Sequence, residues 1–455
     1  MILMRRIIPL SFILAILVAG CKKEDIKTEP VQEGEIPSAV IKINEFIHDN
    51  MDYYYLWNKQ MPELDYTKQP NSFKYFDTLL YKPTDRWSFI TDDYEALINS
   101  YQGIEVSMGH SFSLFWKDET HTEIIGILEF VYPNSPASEA GLKRGDIFSA
   151  VDGMELNADN YVSLLNETSY TLTIAEFTGD VLTPVKEVDL TARQITENPI
   201  LRYDTLKING ATIGYMAYKN FLANYNDSLT SAFTWLKNAG VTEMVLDLRY
   251  NNGGYITAMQ HLSSILAPIQ QVENKSVIIE DKYNENLTQY YTQKGSSMKT
   301  LFKNAGTNLD LNTLYILTGQ NTASASEALI IGLAPYMNVV TIGGQTHGKY
   351  TGALVISDPE KKHNWAIQPI VSKYANSVGY TDFPDGLTPT IAGEDDLSHG
   401  LGSPKEGLMA LALEQITGTA AVAVTKSLRL RMGSRLKSYD SNRPRKNIPL
   451  LKETL

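Results

Sequence analysis

The 455-residue sequence contains a single cysteine, Cys21, which excludes an internal disulfide and a cysteine-built zinc site. Its seven histidines form no H-E-x-x-H pair, so metal-dependent hydrolysis has no support, and we expect neither a metal nor a cofactor. Phosphate-binding and dinucleotide-binding glycine motifs are also missing. The net charge of −12 argues against nucleic acid as a partner.

Long apolar runs are almost absent as well. The exception, residues 7–20, follows Arg5 and Arg6 and ends directly before Cys21. It is shorter than the ~20 residues that a bilayer-spanning helix needs. The charged start, apolar middle and small residues before the cysteine resemble a bacterial lipoprotein signal; a plain signal peptide or a buried helix is the alternative. We therefore predict a signal peptide over residues 1–20 and a lipid anchor on Cys21. The protein would then be held at the cell envelope, on the outer membrane, in the periplasm or at the surface.

The remaining composition, 43% hydrophobic and 20% charged overall, is that of a globular protein with a large core. Residues 21–37 are charged and contain proline, which predicts a flexible linker. Apolar residues at steps of three and four predict a helix over residues 38–66, within an N-terminal helical domain over 38–95. Basic side chains collect in residues 418–455, which we interpret as a solvated tail. The sequence leaves the oligomeric state open.

Two further regions differ in their pattern. Residues 96–195 show short strand-like runs between turn residues, with a helix start at Ser135-Pro136, and predict a β domain. Residues 196–417 alternate strands with helices, which predicts βαβ units on a mostly parallel sheet. The expected fold class is α/β with several domains: an N-terminal helical segment, a β domain and an α/β core.

Ligands of such sheets gather in the loops beyond the carboxyl ends of the strands. One of these loops, residues 247–254, ends in Gly253 and Gly254, whose N–H groups could face a ligand. A plain turn explains the two glycines equally well. A second loop leads into a helix at Ser324, which places a hydroxyl at the positive end of the helix dipole. The N–H of Ala325 has no helical partner there and could stabilise an oxyanion, although Ser324 or Ser326 could instead cap the helix.

A third loop, residues 343–349, carries Lys349. One helix and one strand separate it from Ser324, so neighbouring parallel strands would bring both loops to the same edge of the sheet. Burial would lower the pKa of Lys349, and the neutral amine could then activate the hydroxyl of Ser324. A surface lysine, or His347 as the base, are the alternatives.

The motif TASASEAL followed by THGK resembles the S-A-S-E…F-G-K block of the C-terminal processing peptidases, also called tail-specific proteases. This resemblance implies a serine endopeptidase with Ser324 as nucleophile and Lys349 as general base. DLRYNNGG resembles the family's D-L-R-x-N-x-G-G loop. By that resemblance, Gly254 or Gly253 forms the oxyanion hole together with Ala325.

The segment over residues 129–157 is similar to bacterial PDZ domains. The similarity lies in the tripeptide SPA that begins at Ser135 and in two later dipeptides that begin with glycine, Gly141-Leu142 and Gly145-Asp146. PDZ domains bind extended chain ends, so the resemblance implies unfolded or C-terminal polypeptides as partners. It also places Gly103 and Ile104 at the start of the carboxylate-binding loop.

Two positions depart from the family pattern. Ala353 stands where many members have a glutamine that holds the lysine, and Gln345 or Tyr350 are the candidates to replace it. Glu105 stands where the carboxylate loop usually has a second glycine, and its charge would repel a free chain terminus. We therefore predict an envelope-tethered endopeptidase whose PDZ domain recruits substrate or acts as a gate. A catalytically degenerate peptide-binding lipoprotein and a small-molecule acyl hydrolase are the alternatives.

Overall fold

The computed structural model describes residues 35–178 and 181–419 and the strand Leu450–Leu451. The predicted signal peptide, Cys21, most of the linker and most of the basic tail lie outside these residues. Within them, no helix combines the length and the apolar character that crossing a membrane requires.

An amphipathic helix begins the N-terminal region, with Ile47 and Met51 fully buried one turn apart. It ends well before the predicted residue 66, because Tyr55 is extended and the N–H of Leu56 donates to the carbonyl of Ile370 (2.8 Å). The prediction over 38–66 is therefore correct only for its first part. The elements are α1 (Ser38–Tyr54), 3-10 turns at Asn58–Gln60 and Tyr66–Lys68, α2 (Ser72–Leu79), β1 (Phe89–Thr91) and α3 (Tyr94–Tyr101).

The β domain follows, and the strand-like runs seen in the sequence form its strands. Leu128, Phe148 and Leu172 are fully buried in its core. Ser135 caps the first helix by accepting the N–H of Ser138, as the Ser-Pro start signal predicts. The elements are β2 (Ile104–Ser107), β3 (His110–Trp116), β4 (Ile124–Val131), α4 (Pro136–Glu139), β5 (Ile147–Val151), β6 (Met154–Glu155), α5 (Tyr161–Leu165), β7 (Ser169–Thr178), β8 (Val181–Thr191) and β9 (Arg193–Thr196).

The core alternates strands and helices, as the sequence pattern predicts. Val245, Leu246 and Ile316 are fully buried in the middle of its main sheet, which is covered by helices. The elements are β10 (Ile200–Ile208), β11 (Ala211–Tyr218), a 3-10 turn at Ala223–Tyr225, α6 (Asn226–Asn238), β12 (Glu243–Asp247), α7 (Ile256–Leu266), α8 (Ile269–Glu273), β13 (Val277–Tyr283), α9 (Glu285–Lys294), β14 (Lys299–Leu301), β15 (Thr313–Thr318), α10 (Ala325–Leu333), β16 (Asn338–Gly343), β17 (Thr351–Ala353), β18 (Ile356–Ser357), β19 (Ala366–Gln368), β20 (Ile370–Asn376), β21 (Ile391–Ala392), α11 (Gly407–Thr417) and β22 (Leu450–Leu451).

The main sheet has the strand order β10-β11-β12-β15-β16-β21, parallel throughout except for the antiparallel pair β10–β11. The α/β prediction is thus confirmed. A second sheet, in the order β14-β13-β20-β17-β22, is mainly antiparallel and was not predicted. A small sheet, β1-β19-β18, joins the N-terminal region to the core.

A buried network of ion pairs joins the β domain to the core. Arg144, between α4 and β5, donates to the carboxylate of Asp395 and to the hydroxyl of Tyr250, both at 2.6 Å. Arg249 donates to Asp395 as well and reaches both carboxylate oxygens of Glu406. Because a buried charge without its partner costs several kcal/mol, the network fixes this interface. Two of its members, Arg249 and Tyr250, lie within the predicted oxyanion loop, residues 247–254.

Candidate active site

The loops that carry Ser324 and Lys349 lie at the same edge of the main sheet. β15 and β16 are parallel neighbours, with Thr318 opposite Gly343 at their carboxyl ends. Ser324 follows β15 and Lys349 follows β16. The structure thus places the two loops together, as the chain order predicts.

Two buried side chains bind both residues through their backbones. The carboxylate of Glu327 accepts the N–H of Ser324 (2.9 Å) and the N–H of Lys349 (2.8 Å). The hydroxyl of Tyr374 lies 3.0 Å from the carbonyl oxygen of Ser324 and 2.7 Å from that of Lys349. The nucleophile and the base predicted from the sequence are therefore held in a fixed relation from two sides.

Glu327 is a site residue that the sequence reasoning missed. Its carboxylate also accepts the hydroxyl of Thr346 (2.5 Å) and the N–H of Gly348 (2.7 Å). Burial raises the pKa of Glu327, while its four hydrogen bonds favour the charged form. The sequence did contain a signal for Glu327, since an acidic residue three positions after the residue that starts a helix is a capping pattern. Tyr374, on β20, had no comparable signal.

Ser324 has a strained backbone, with φ 57° and ψ −110°, a conformation that is uncommon for residues other than glycine. Such strain costs about 1–3 kcal/mol and is typical of functional sites. The side chain is fully buried, and its hydroxyl has no hydrogen-bond partner. Helix capping by this hydroxyl, the alternative, is therefore not what the structure shows.

Lys349 is fully buried, and its amine has no hydrogen-bond partner either. Burial lowers the pKa of Lys349 to about 7, against the opposing effect of the negative charges of Asp85 and Glu327. Near neutral pH much of the amine is therefore uncharged and can accept a proton. No hydrogen bond joins the amine to the Ser324 hydroxyl.

His347, the alternative base, faces a different group. The indole N–H of Trp87 points at its Nε2 at a distance of 3.3 Å. This ring nitrogen is thus occupied by a donor from the N-terminal region, whereas the amine of Lys349 is unoccupied. The geometry favours Lys349 as the proton acceptor.

The glycine loop distinguishes the two oxyanion candidates. The N–H of Gly253 donates to the side chain of Asn251 (2.9 Å), whereas those of Gly254 and Ala325 have no partner among the described residues. Gly254 has φ 143°, and a Cβ there would lie 2.2 Å from the carbonyl oxygen of Phe221, so only glycine fits. The carbonyl of Asn251 accepts the N–H of Ala323 (3.0 Å), which binds this loop to the serine loop.

Neither Gln345 nor Tyr350, the candidates for holding the lysine, forms a hydrogen bond with its amine. The exposed side chain of Gln345 donates to the carbonyl of Asp385 (2.6 Å). Tyr350 is buried with its ring centroid 6.3 Å from that of Trp87 and 5.5 Å from that of Phe383. The interpretation of Gln345 or Tyr350 as a replacement for the missing glutamine is therefore not supported by the geometry.

The predicted carboxylate loop is engaged within the chain. The carbonyl of Gly103 accepts the N–H of Glu197 (2.7 Å), and Ile104 begins β2, which pairs with β9. Burial, together with the charges of Glu197 and Glu105, raises the pKa of Tyr132 well above its usual range. The corner is thus acidic, which disfavours the approach of a free carboxylate.

The charge of Asp85 yields a prediction about pH. Replacing Asp85 by asparagine removes a negative charge that raises the pKa of Lys349, so this pKa should fall below 7. If Lys349 is the base, activity rises with pH as the amine loses its proton, and the acidic limb of kcat/KM should move to lower pH. Asp77→Asn, at an exposed ion pair with Lys82, is the control. An unmoved limb in Asp85→Asn would contradict the assignment.

Comparison with known proteins identifies three regions. Peptidase family S41 matches residues 212–392, the Peptidase S41 N-terminal domain matches 42–89, and a PDZ domain matches 129–176. The PDZ match falls within the β domain. These matches confirm the resemblance seen in the TASASEAL and DLRYNNGG motifs.

Similar proteins point to the same family. A carboxyl-terminal-processing protease of Synechocystis sp. is 27% identical over 65% of this chain and 66% of its own length. One of Picosynechococcus sp. is 24% identical over 74% of this chain and 78% of its own. A crystal structure from Bacteroides fragilis assigned as an S41 protease covers 86% of this chain and 99% of its own, with 27% identity and a TM-score of 0.70. The chain therefore belongs to peptidase family S41, the serine-type peptidases that include the carboxyl-terminal-processing proteases, with the N-terminal and PDZ domains of that family.

Proposed function

We propose that the protein is an envelope-tethered serine endopeptidase that cleaves unfolded or extended polypeptides with Ser324 and Lys349. The observation that carries this proposal is the pair of bridges from Glu327 and Tyr374, which hold the backbones of Ser324 and Lys349 together. The hydroxyl of Ser324 and the amine of Lys349 are both buried without a hydrogen-bond partner in the described part of the chain. The tether is proposed from the lipoprotein signal before Cys21, which lies outside the described residues. The PDZ domain recruits substrate or acts as a gate.

The reaction follows from the positions of the groups. The neutral amine of Lys349 takes the proton of the Ser324 hydroxyl while the oxygen attacks the substrate carbonyl carbon. The N–H groups of Gly254 and Ala325 stabilise the resulting oxyanion, each by about 3–4 kcal/mol. The protonated lysine then gives its proton to the leaving amine, and an acyl-enzyme remains. Lys349 deprotonates a water molecule, which releases the acyl group and restores the hydroxyl.

Ser324→Ala tests the proposal on a denatured protein such as casein. We expect kcat to fall by at least about 10³-fold, because the nucleophile is lost while the fold is kept. Ser326→Ala, two residues away, is the matched control. Its hydroxyl only donates to the carbonyl of Asn251 (3.1 Å), so it should lose less than about tenfold. Equal cleavage by wild type and Ser324→Ala would contradict the mechanism. Peptide binding without turnover in the wild type would instead favour the degenerate binding protein.

A further inference from the structure

The short strand that follows Lys349 has an extended segment bound on its outer edge. β17 pairs with β20 on one side, antiparallel, and with β22 on the other, parallel. Gly352 lies opposite Leu450 and Ala353 opposite Leu451. β22 is the last strand of its sheet and comes from a segment far along the chain from β17. Without it, β17 would present an open edge, which is a template for another extended chain.

The edge of β17 begins next to Lys349, the proposed base. Thr351, the first residue of β17, is two positions from Lys349. A strand rises by about 3.3 Å per residue, so a chain paired with Gly352 that continues for three residues comes level with Lys349. The backbone of Lys349 is bound through Glu327 to Ser324. An extended chain on this edge is therefore directed at Ser324 and Lys349.

The edge is suited to chains of many sequences. Its residues, Thr351, Gly352 and Ala353, are small and buried, so recognition rests on main-chain hydrogen bonds rather than on side-chain pockets. The buried hydroxyl of Thr351 has no hydrogen-bond partner among the described residues. These properties fit an enzyme that acts on unfolded polypeptides.

The carboxyl-terminal sequence itself resembles such a substrate. Residues 447–455 read NIPLLKETL, of which five residues are apolar. Proline disfavours helix in the residue before it, so the presence of Pro449 in this sequence favours an extended segment over a helix. The sequence of this segment is thus compatible with the strand that β22 forms.

We infer that the outer edge of β17 is where the extended part of a substrate docks, and that the chain's own residues 447–455 compete for this edge. The inference rests on the proposed function, since it names the strand that presents substrate to Ser324 and Lys349. The enzyme that contains residues 447–455 is then partly inhibited by them.

Truncation after residue 446 tests the competition. We expect KM for an unfolded protein to fall by several-fold to about tenfold. A synthetic peptide of residues 447–455 should inhibit the truncated enzyme competitively. The same peptide with Leu450→Pro and Leu451→Pro lacks two main-chain donors and should not inhibit. Equal KM values together with no inhibition by the native peptide would overturn the inference. If the truncated protein melts below the wild type, the full-length chain with both prolines replaces it, and the same fall in KM is expected.

A binding measurement separates this inference from the proposed function. In the Ser324→Ala background, a fluorescent 447–455 peptide should bind the truncated protein at least about tenfold more tightly than the full-length protein. Such binding in a protein whose serine-intact form shows no turnover would support the docking edge and refute the proposed function. Turnover that Ser324→Ala abolishes, with no peptide binding and an unchanged KM, would support the function and refute the docking edge.

Discussion

Replacing Lys349 by methionine should abolish peptide hydrolysis and, near pH 6, increase the free energy of unfolding. The amine is the only group that we assign to remove the proton of Ser324, so kcat should fall by at least about 10³-fold. Methionine has a similar length and no charge, and it suits a fully buried position whose amine has no hydrogen-bond partner. Lys74→Met, at an exposed position on α2, is the control and should retain activity.

The stability effect should depend on pH in a defined direction. Burial lowers the pKa of Lys349 from the usual 10.5 to about 7, so the unfolded chain holds this proton more tightly. Between these values the unfolded state binds more protons, and wild-type stability rises with pH. Below pH 7 the charged, buried amine of Lys349 lowers the free energy of unfolding of the wild type by its full amount, roughly 5 kcal/mol from the pKa shift alone. The methionine variant carries no charge there and avoids this loss. Urea unfolding of both proteins at pH 6 and pH 9 measures the difference. A variant that is less stable than wild type at pH 6, or a difference that grows with pH, would contradict the assignment.

Glu327→Gln should reduce both stability and activity. The carboxylate accepts four hydrogen bonds, whereas glutamine has one acceptor oxygen, and its NH₂ group would face N–H donors. We expect a loss of about 3–5 kcal/mol in the free energy of unfolding, since buried groups lose their partners. Activity should fall by at least about 10²-fold, because the relation between the two loops is no longer fixed. Urea unfolding and kcat measure the two effects.

Two further measurements separate positioning from general damage. Thr346→Val removes one of the four hydrogen bonds to Glu327 and also the acceptor of the Leu387 N–H, and it should cost about 2 kcal/mol, less than Glu327→Gln. Loss of the negative charge of Glu327 should also lower the pKa of Lys349, so the acidic limb of the remaining activity should move to lower pH. A Glu327→Gln enzyme with wild-type kcat and an unmoved pH profile would show that the bridge has no role in catalysis.

Local sequence patterns predict the candidate groups of the site and their order in the chain. Alternation of strands and helices is a local pattern, and it led to the parallel pair β15–β16 and to Ser324 and Lys349 at one edge. The motifs TASASEAL and DLRYNNGG identified Ala325 and the glycine pair, because such turns require particular residue types. The N-terminal helix was predicted where its apolar period holds. Its end was misplaced, because a long-range hydrogen bond from Leu56 to Ile370 ends it.

The way in which these groups are joined depends on contacts between segments that are distant in the chain. The bridge from Tyr374, the charge of Asp85 near Lys349 and the pairing of β17 with β22 each connect segments far apart in the chain. The choice of Gly254 over Gly253 depends on a single hydrogen bond to Asn251. Periodicity and spacing report on neighbours along the chain. Burial and long-range hydrogen bonds, which set the pKa of Lys349 and the strain at Ser324, arise only when distant segments pack together.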